Sequence, residues 1–424
     1  MIKALVIGTG SRAEAYMKHI VGKDLPIKIV AIAEIIKERR DYVGKKYKIP
    51  EEQRFETGEQ AISKGGEYDI VIITTPDKTH HNLAISSLEN GYNVLLEKPM
   101  ATTAKECIDI VKAQQKSGKI LAICHVLRYA PFFKEIKKIT EEKELGKLQN
   151  VNLIEDVSYW HFAHSYVRGN WRKEEESSPI ILAKSCHDLD ILTWITESEA
   201  DIVFSRGSLN YFKKENKPDN SSDKCIECPV LDCPYNSKRF YLNQEDGSLW
   251  PYDSISQEDP SEEGRKKSIA TTRYGKCVFQ SDNDVCDNQD VLIEFKNGVN
   301  ANFSLRAGGA YSTRRITLNY EKGQITGDLS EGVITKTTYT GKKDEHENKE
   351  IRFESKGGHG GGDLIMLKEV IKLIENNNSE ENITSAQRSL ESHLIAFASE
   401  ESRKSDEHGK PISMKEFKEN LRSK

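Results

Sequence analysis

The sequence has little of the chemistry that staples small proteins or carries chains across membranes. Its 424 residues hold eight cysteines, far too few for a disulfide scaffold. No window approaches the roughly 18 to 20 apolar residues that a bilayer-crossing helix needs. Positive charge is not in excess: 62 Lys and Arg stand against 67 Asp and Glu, a formal net charge of −5. A dedicated nucleic-acid binder would need that excess to neutralise phosphates, so neither nucleic acid nor a membrane is an expected partner. The opening apolar stretch, residues 2–7, ends in Gly8, too soon for the core of a signal peptide, which points to a cytoplasmic protein. What remains is ordinary globular composition, 37% apolar, and a length that gives two or three domains at roughly 100 to 200 residues each.

The first third alternates short β-rich runs with helical stretches. Residues 4–7 lead into Gly8-Thr9-Gly10-Ser11-Arg12-Ala13 and then a helix. In such a turn the first glycine allows the tight bend, the second lets a pyrophosphate approach the backbone, and the small third residue packs the helix close. Free N–H groups at the helix start, from Ser11 and Arg12 onward, suit an anion. The next strand ends in Glu34, 26 residues after Gly8, near the place where a carboxylate accepts from an adenosine ribose and favours NAD over NADP. Arg39 and Arg40 could instead meet a 2′-phosphate, or form a solvated helix face. Further strands end in Thr75-Pro76 and Glu97-Lys98-Pro99. The alternation implies a doubly wound parallel sheet, whose ligands lie beyond the carboxyl ends of its strands.

The ordered set Gly8 to Ala13, Thr74-Thr75-Pro76-Asp77-Lys78-Thr79-His80, Leu95-Leu96-Glu97-Lys98-Pro99-Met100 and His125-Val126-Leu127-Arg128-Tyr129-Ala130-Pro131-Phe132-Phe133 resembles the Gfo/Idh/MocA oxidoreductase family. The likeness is close over the first 135 residues and looser beyond. It implies an α/β chain with an NAD-binding Rossmann domain, residues 1–124, and a substrate-binding α/β domain on a large, mostly antiparallel sheet, residues 125–424. The sugar would lie between nicotinamide and that sheet. Lys98 takes the position of the lysine at the reacting carbinol. His80 takes that of a histidine near the nicotinamide ribose, although a plain helix-start residue is the other reading. Gly8, Gly10, Ser11, Arg12, Glu34, Thr75, Pro76, His80, Glu97 and Lys98 are thus the expected cofactor residues.

Within the second domain, residues 159–172 crowd aromatics, histidines and arginines. Tyr159, His161, His164, Arg168 and Trp171 suit a sugar, with ring faces on C–H surfaces and polar groups on hydroxyls; a loop with aromatic anchors is the alternative. The family pattern Asp-x-Gly-x-His-x-x-Asp falls on residues 183–190. His187 matches the general base and Asp190 the helix aspartate, but Ala183 stands at the first aspartate. The neighbouring Lys184 then offers a second catalytic cation or faces solvent. A glycine-rich run at 357–362 precedes a helix, with His359 and Asp363 as possible substrate contacts.

From about 211 to 290 the chain turns polar and irregular, too long for a structureless loop in a compact domain. Cys225, Cys228 and Cys233, at Cys-x2-Cys-x4-Cys, could start a structural zinc site with Cys277 as fourth ligand, Cys286 or a histidine standing behind it; packed thiols, disulfides or an iron-sulfur cluster are the alternatives. The sum is an expectation: an NAD-dependent oxidoreductase acting on a secondary hydroxyl of a sugar, glycoside or cyclitol, assembled as a homo-oligomer. A glycosidase or lyase using bound NAD for transient oxidation and elimination uses the same parts, and a non-catalytic NAD-responsive protein is a third reading.

Overall fold

The computed structural model describes residues 1–423 apart from 24, 244–249, 355–357 and 406–408. Its first sheet has six parallel strands: β1 (Ile2–Ile7), β2 (Ile27–Ala33), β3 (Arg54–Phe55), β4 (Ile70–Ile73), β5 (Asn93–Leu96) and β6 (Leu121–Ile123). They lie in the order β3-β2-β1-β4-β5-β6. Runs such as Ile-Val-Ile-Ile in β4 are apolar throughout because helices cover both faces of such a sheet. Ala4, Val6, Ile29, Ile70 and Ile72 point into one apolar cluster, and Leu5, Ile7, Val71, Ile73 and Leu96 into another.

The second sheet has nine strands: β7 (Leu148–Ser158), β8 (Ala200–Ser208), β9 (Asn288–Phe295), β10 (Asn300–Gly309), β11 (Thr313–Tyr320), β12 (Gly323–Asp328), β13 (Val333–Tyr339), β14 (His346–Arg352) and β15 (Ile412–Ser413). Their order is β14-β13-β12-β11-β7-β10-β9-β8-β15. All neighbours are antiparallel except β7 and β10. A hairpin at Asn297-Gly298 joins β9 to β10, with Gly298 at φ +84°.

One helix within the expected second domain, residues 125–424, packs on the first sheet. Helix Gly362–Asn376 does not belong to the second core: Met366, Leu367, Val370 and Ile371 pack in the cluster of Ile2, Ala4, Val6 and Tyr16. The chain returns to share one face of the first sheet with helix Ser11–Gly22, whose Ala13, Tyr16, Met17 and Ile20 lie in the same cluster. Helix Ala386–Lys404 then wedges between the domains, packing apolar residues into both cores. The polar stretch between β8 and β9 is folded, with helices Ser237–Leu242 and Glu262–Thr271 around a small core of Tyr241, Ile255 and Ile269.

Candidate active site

The cofactor turn is built as its sequence requires. Gly8 has φ +81°, and a Cβ there would come within 2.9 Å of Thr75 Cγ2 and 3.0 Å of the Thr74 backbone, so glycine alone lets β1 pass this close to the end of β4. Gly10 is the opposite case: a Cβ would meet nothing within 4 Å. The open space lies at the N-terminus of helix Ser11–Gly22, which carries no side-chain cap. Unsatisfied N–H groups beside such a space fit a dinucleotide pyrophosphate.

Glu34, buried at the end of β2, accepts from Thr9 N (2.9 Å), Thr9 Oγ1 (3.0 Å) and Ile36 N (3.0 Å). The two arginines beside it are not a free phosphate site. Arg40 donates to the Glu34 carbonyl, and Arg39 lies 3.8 Å from the Glu34 carboxylate and 3.6 Å from Glu258.

His80 is fully buried, with Nδ1 2.7 Å from the Pro99 carbonyl and Nε2 2.9 Å from the Thr75 carbonyl. The ring thus lies between two carbonyl acceptors, to one of which a neutral imidazole donates, and it bridges the Thr75-Pro76 turn and the Lys98-Pro99 turn. Arg12 is committed: its guanidinium donates to Glu97 (2.8 Å), Asp363 (2.8 Å) and Tyr16 Oη (2.6 Å), leaving its backbone for the cofactor. Burial would push Glu97 and Asp363 up, but Arg12 holds both below the ordinary carboxylate range.

Lys98, at the end of β5, donates to the Ala183 carbonyl at 2.6 Å. Where the family pattern has an aspartate side chain, the backbone of this chain supplies the acceptor. His187, in the first turn of helix Cys186–Thr196, is 3% exposed, and its buried Nδ1 has no hydrogen-bond partner. Burial first and the charge of Lys98 second push its imidazole well below the usual value, so it is a neutral ring that can accept a proton. His359 lies with its ring centroid 5.5 Å from that of His187, its Nδ1 3.3 Å from Asp363 Oδ2. Its backbone is in the left-handed region, at φ +53°.

Lys184 does not face solvent. Its ammonium lies 3.3 Å from Glu155 Oε1 in a buried network where Arg314 donates to Glu155 and to Asp188 Oδ1 at 3.0 Å. Burial lowers Lys184, and the neighbouring Arg314 and Lys98 add to the shift. Glu155 is held down to about 2 by Arg314 and Lys184 against the effect of burial, while burial pushes Asp188 up to about 7 despite Arg314. Glu155, Asp188 and Arg314 were not among the expected site residues. The signal was there in part: Val151, Leu153, Glu155 and Val157 alternate inward along β7, and a carboxylate at a core-facing position needs a cation. Arg314 is its direct cross-strand partner.

The crowded segment divides. His161 stays near Lys184 and Arg314, and burial followed by the charge of Lys184 pushes its imidazole well down. His164 and Arg168, expected at the sugar, make their hydrogen bonds to the insertion. His164 bonds Tyr241 Oη at 2.8 Å and stacks on Tyr274, and Arg168 donates to the carbonyls of Lys276 and Tyr235 at 2.8 Å each. Tyr159 packs on Tyr235, and Trp171 donates to Asp77 at 3.3 Å. Asp77 also accepts from Ser177 and Ser178 at 2.9 Å, tying the cofactor-side turn to the second domain.

The four cysteines expected to bind zinc do line one small cavity, with Tyr235, Asn236 and Val278. Zinc is nevertheless not supported: among the described residues no three His, Cys, Asp or Glu side chains are arranged to hold a metal ion. Burial raises the Cys233 and Cys277 thiols, and a thiol must lose its proton to bind a metal. The tie that zinc was expected to supply comes from Arg168, which also reaches Cys225 Sγ at 3.5 Å, and from the bridge between Lys224 and Lys276.

No helix among the described residues is long and apolar enough to cross a membrane. Residues 2–125 match the family model for the oxidoreductase family's NAD-binding Rossmann fold, and residues 137–414 match that for its C-terminal alpha/beta domain. A Bacillus subtilis (strain 168) protein that carries the provisional name of oxidoreductase YteT is 27% identical over 71% of this chain and 72% of its own length. Inositol 2-dehydrogenase of Salmonella typhimurium (strain LT2) is 24% identical, but over only 48% of this chain and 56% of that protein. Among solved structures, levoglucosan dehydrogenase in complex with NADH superposes with a TM-score of 0.72 at 15% identity, covering 97% of this chain and 99% of that one. An Agrobacterium radiobacter oxidoreductase in complex with NAD+, L-tartaric acid and magnesium gives 0.67 at 16% identity, covering 98% and 99%. Identities this low show the shared fold alone. With both of its domains matched, this chain belongs to the Gfo/Idh/MocA oxidoreductase family.

Proposed function

We propose that this chain oxidises a secondary hydroxyl of a sugar, glycoside or cyclitol, using NAD. The observation that carries the reading is the meeting of Lys98 and His187 at the carboxyl end of β5, beside the cofactor turn. Lys98 has a backbone carbonyl for its hydrogen-bond partner, and His187 is a buried neutral imidazole. Sugar or inositol dehydrogenation is what the names of several relatives and fold neighbours state for those proteins.

Bound NAD supplies the acceptor for the hydride. The chain's own residues do the rest. The helix start at Ser11 and the open face of Gly10 bind the pyrophosphate, and Glu34 receives the ribose. Lys98 directs its ammonium at the carbinol oxygen, where negative charge develops as the proton leaves. His187 takes that proton; a base that is neutral before the reaction and cationic after it suits this step. Lys184 and His161, on the second-domain side, and His359, on the other, are placed to orient ring hydroxyls.

The test is turnover with NAD across a panel of sugars and cyclitols, following NADH and product mass together. Stoichiometric NADH and a product two hydrogens lighter are expected. Lys98→Met and His187→Ala should each lower kcat by about 10² to 10⁴, the range for losing an electrostatic or acid-base group, while NADH binding persists. Full turnover in either variant would overturn the assignment, and bond cleavage without NADH accumulation would point to the transient-oxidation chemistry instead.

A further inference from the structure

The insertion between β8 and β9 belongs to the second domain by sequence, yet one of its turns lies on the first domain's cofactor loop. Gln257 Nε2 donates to the Thr9 carbonyl at 3.0 Å, between the two glycines of the pyrophosphate turn. Glu258 lies 3.6 Å from Arg39, which in turn lies 3.8 Å from Glu34. Asp253, at the start of the same segment, feels the charges of Lys18, Glu14 and Lys46 of the first domain. Two points of the nucleotide side, the Thr9 carbonyl and Arg39, are thus touched by one segment of seven residues, 253–259.

That segment is braced from behind. Ser268 Oγ donates to the Ile255 carbonyl at 2.6 Å, Arg265 to the Pro260 carbonyl at 2.6 Å and to the Tyr241 carbonyl at 2.8 Å. Ile255 is buried with Tyr241 and Ile269, and Ser254 reaches His164 Nε2 at 3.3 Å. Through Arg168 the insertion is fixed to the second domain, so the segment is a rigid edge of one domain set against the nucleotide loop of the other.

We propose that residues 253–259 form an outer wall of the dinucleotide site, with Gln257 and Glu258 as cofactor-site residues, and that this wall retains the cofactor between turnovers. The inference rests on the NAD reading above. Release of the adenosine half requires the Gln257 to Thr9 and Glu258 to Arg39 contacts to part, so the wall acts on the rate of dissociation, where most affinity differences between related complexes reside.

The experiment is displacement of bound NADH from the full-length protein by excess NAD+, followed by nicotinamide fluorescence in a stopped-flow instrument. Gln257→Ala/Glu258→Ala should release NADH about tenfold faster than the unmodified protein, equivalent to ~1.4 kcal/mol, and lose it on desalting where the parent keeps it. Gln257→Ala alone should fall between. Glu263→Gln, on the outer side of the bracing helix, should match the parent and so separates a local effect from a loosened insertion. Equal release rates in parent and double variant would overturn the wall while leaving the oxidoreductase reading intact. Failure of the parent to bind NADH at all would overturn both.

Discussion

Replacing Arg314 with methionine tests the buried charge network beneath the site. Arg314, Glu155 and Asp188 are 7%, 1% and 0% exposed. The guanidinium donates to both carboxylates. In Arg314→Met, Glu155 keeps Lys184 at 3.3 Å and Ser185 Oγ at 3.1 Å, whereas Asp188 loses its hydrogen-bonded cation. Breaking a buried pair in this way costs about 3–5 kcal/mol.

The loss should depend on pH. A carboxyl whose folded-state pKa lies above its ordinary 3.8, as for Asp188 at about 7, binds more protons folded than unfolded between those values. Its contribution is present below 3.8 and lost as pH rises through about 7. Glu155, held at about 2, runs the other way: its contribution is present above its ordinary 4.5 and lost as pH falls toward 2. Without Arg314, Asp188 rises further, and the variant's deficit grows by up to ~1.4 kcal/mol for each pH unit between the two folded-state values. Urea unfolding of parent and variant at about pH 8 and about pH 5.5 should therefore show the larger deficit at the higher pH. Adding Asp188→Asn should recover about 2 kcal/mol by removing the stranded charge. A deficit equal at both pH values, or no recovery in the double variant, would refute the reasoning.

Two further outcomes follow from local geometry. Gly10→Val places its side chain in space that the protein leaves open, at a backbone φ of −72° that any residue adopts, so the melting temperature should hold while NADH binding falls by 10²-fold or more, on the order of 3 kcal/mol; a binding isotherm equal to that of the parent would remove the pyrophosphate from this turn. Arg168→Ala removes donors to two insertion carbonyls and strands both, so limited proteolysis should cut within residues 211–290 at least tenfold faster, about 1.4 kcal/mol or more of local stability; unchanged cleavage would mean that the aromatic contacts alone hold the insertion.

The first sheet was legible because its signals are local. Apolar runs ending in a glycine turn or an X-Pro turn mark β1, β4 and β5 and their ligand-facing ends within a few positions, whereas the two-residue β3 carries no such signal. Lys98 and His187, on which the proposed function rests, stand out in the sequence only through the motifs that contain them. The helix that covers the first sheet was not legible, since residues 362–376 carry an ordinary amphipathic pattern and nothing in that pattern names the face it covers. His164 and Arg168 were ambiguous in the sequence for a different reason. Aromatic, imidazole and guanidinium groups suit a sugar and a polar insertion equally well, and only the fold shows which of them spend their hydrogen bonds on the backbones of Lys276 and Tyr235. Clustered thiols were equally ambiguous, because spacing brings sulfur atoms to one cavity without fixing their geometry.

The ring of His80 has a practical meaning for anyone recombining such enzymes. By touching the Thr75 and Pro99 carbonyls together, it makes two separate signature loops into one mechanical part. A chimera that takes one loop from a relative and leaves the other behind would break that part at its side-chain bridge, so crossover points belong before residue 70 or after residue 100, never between them.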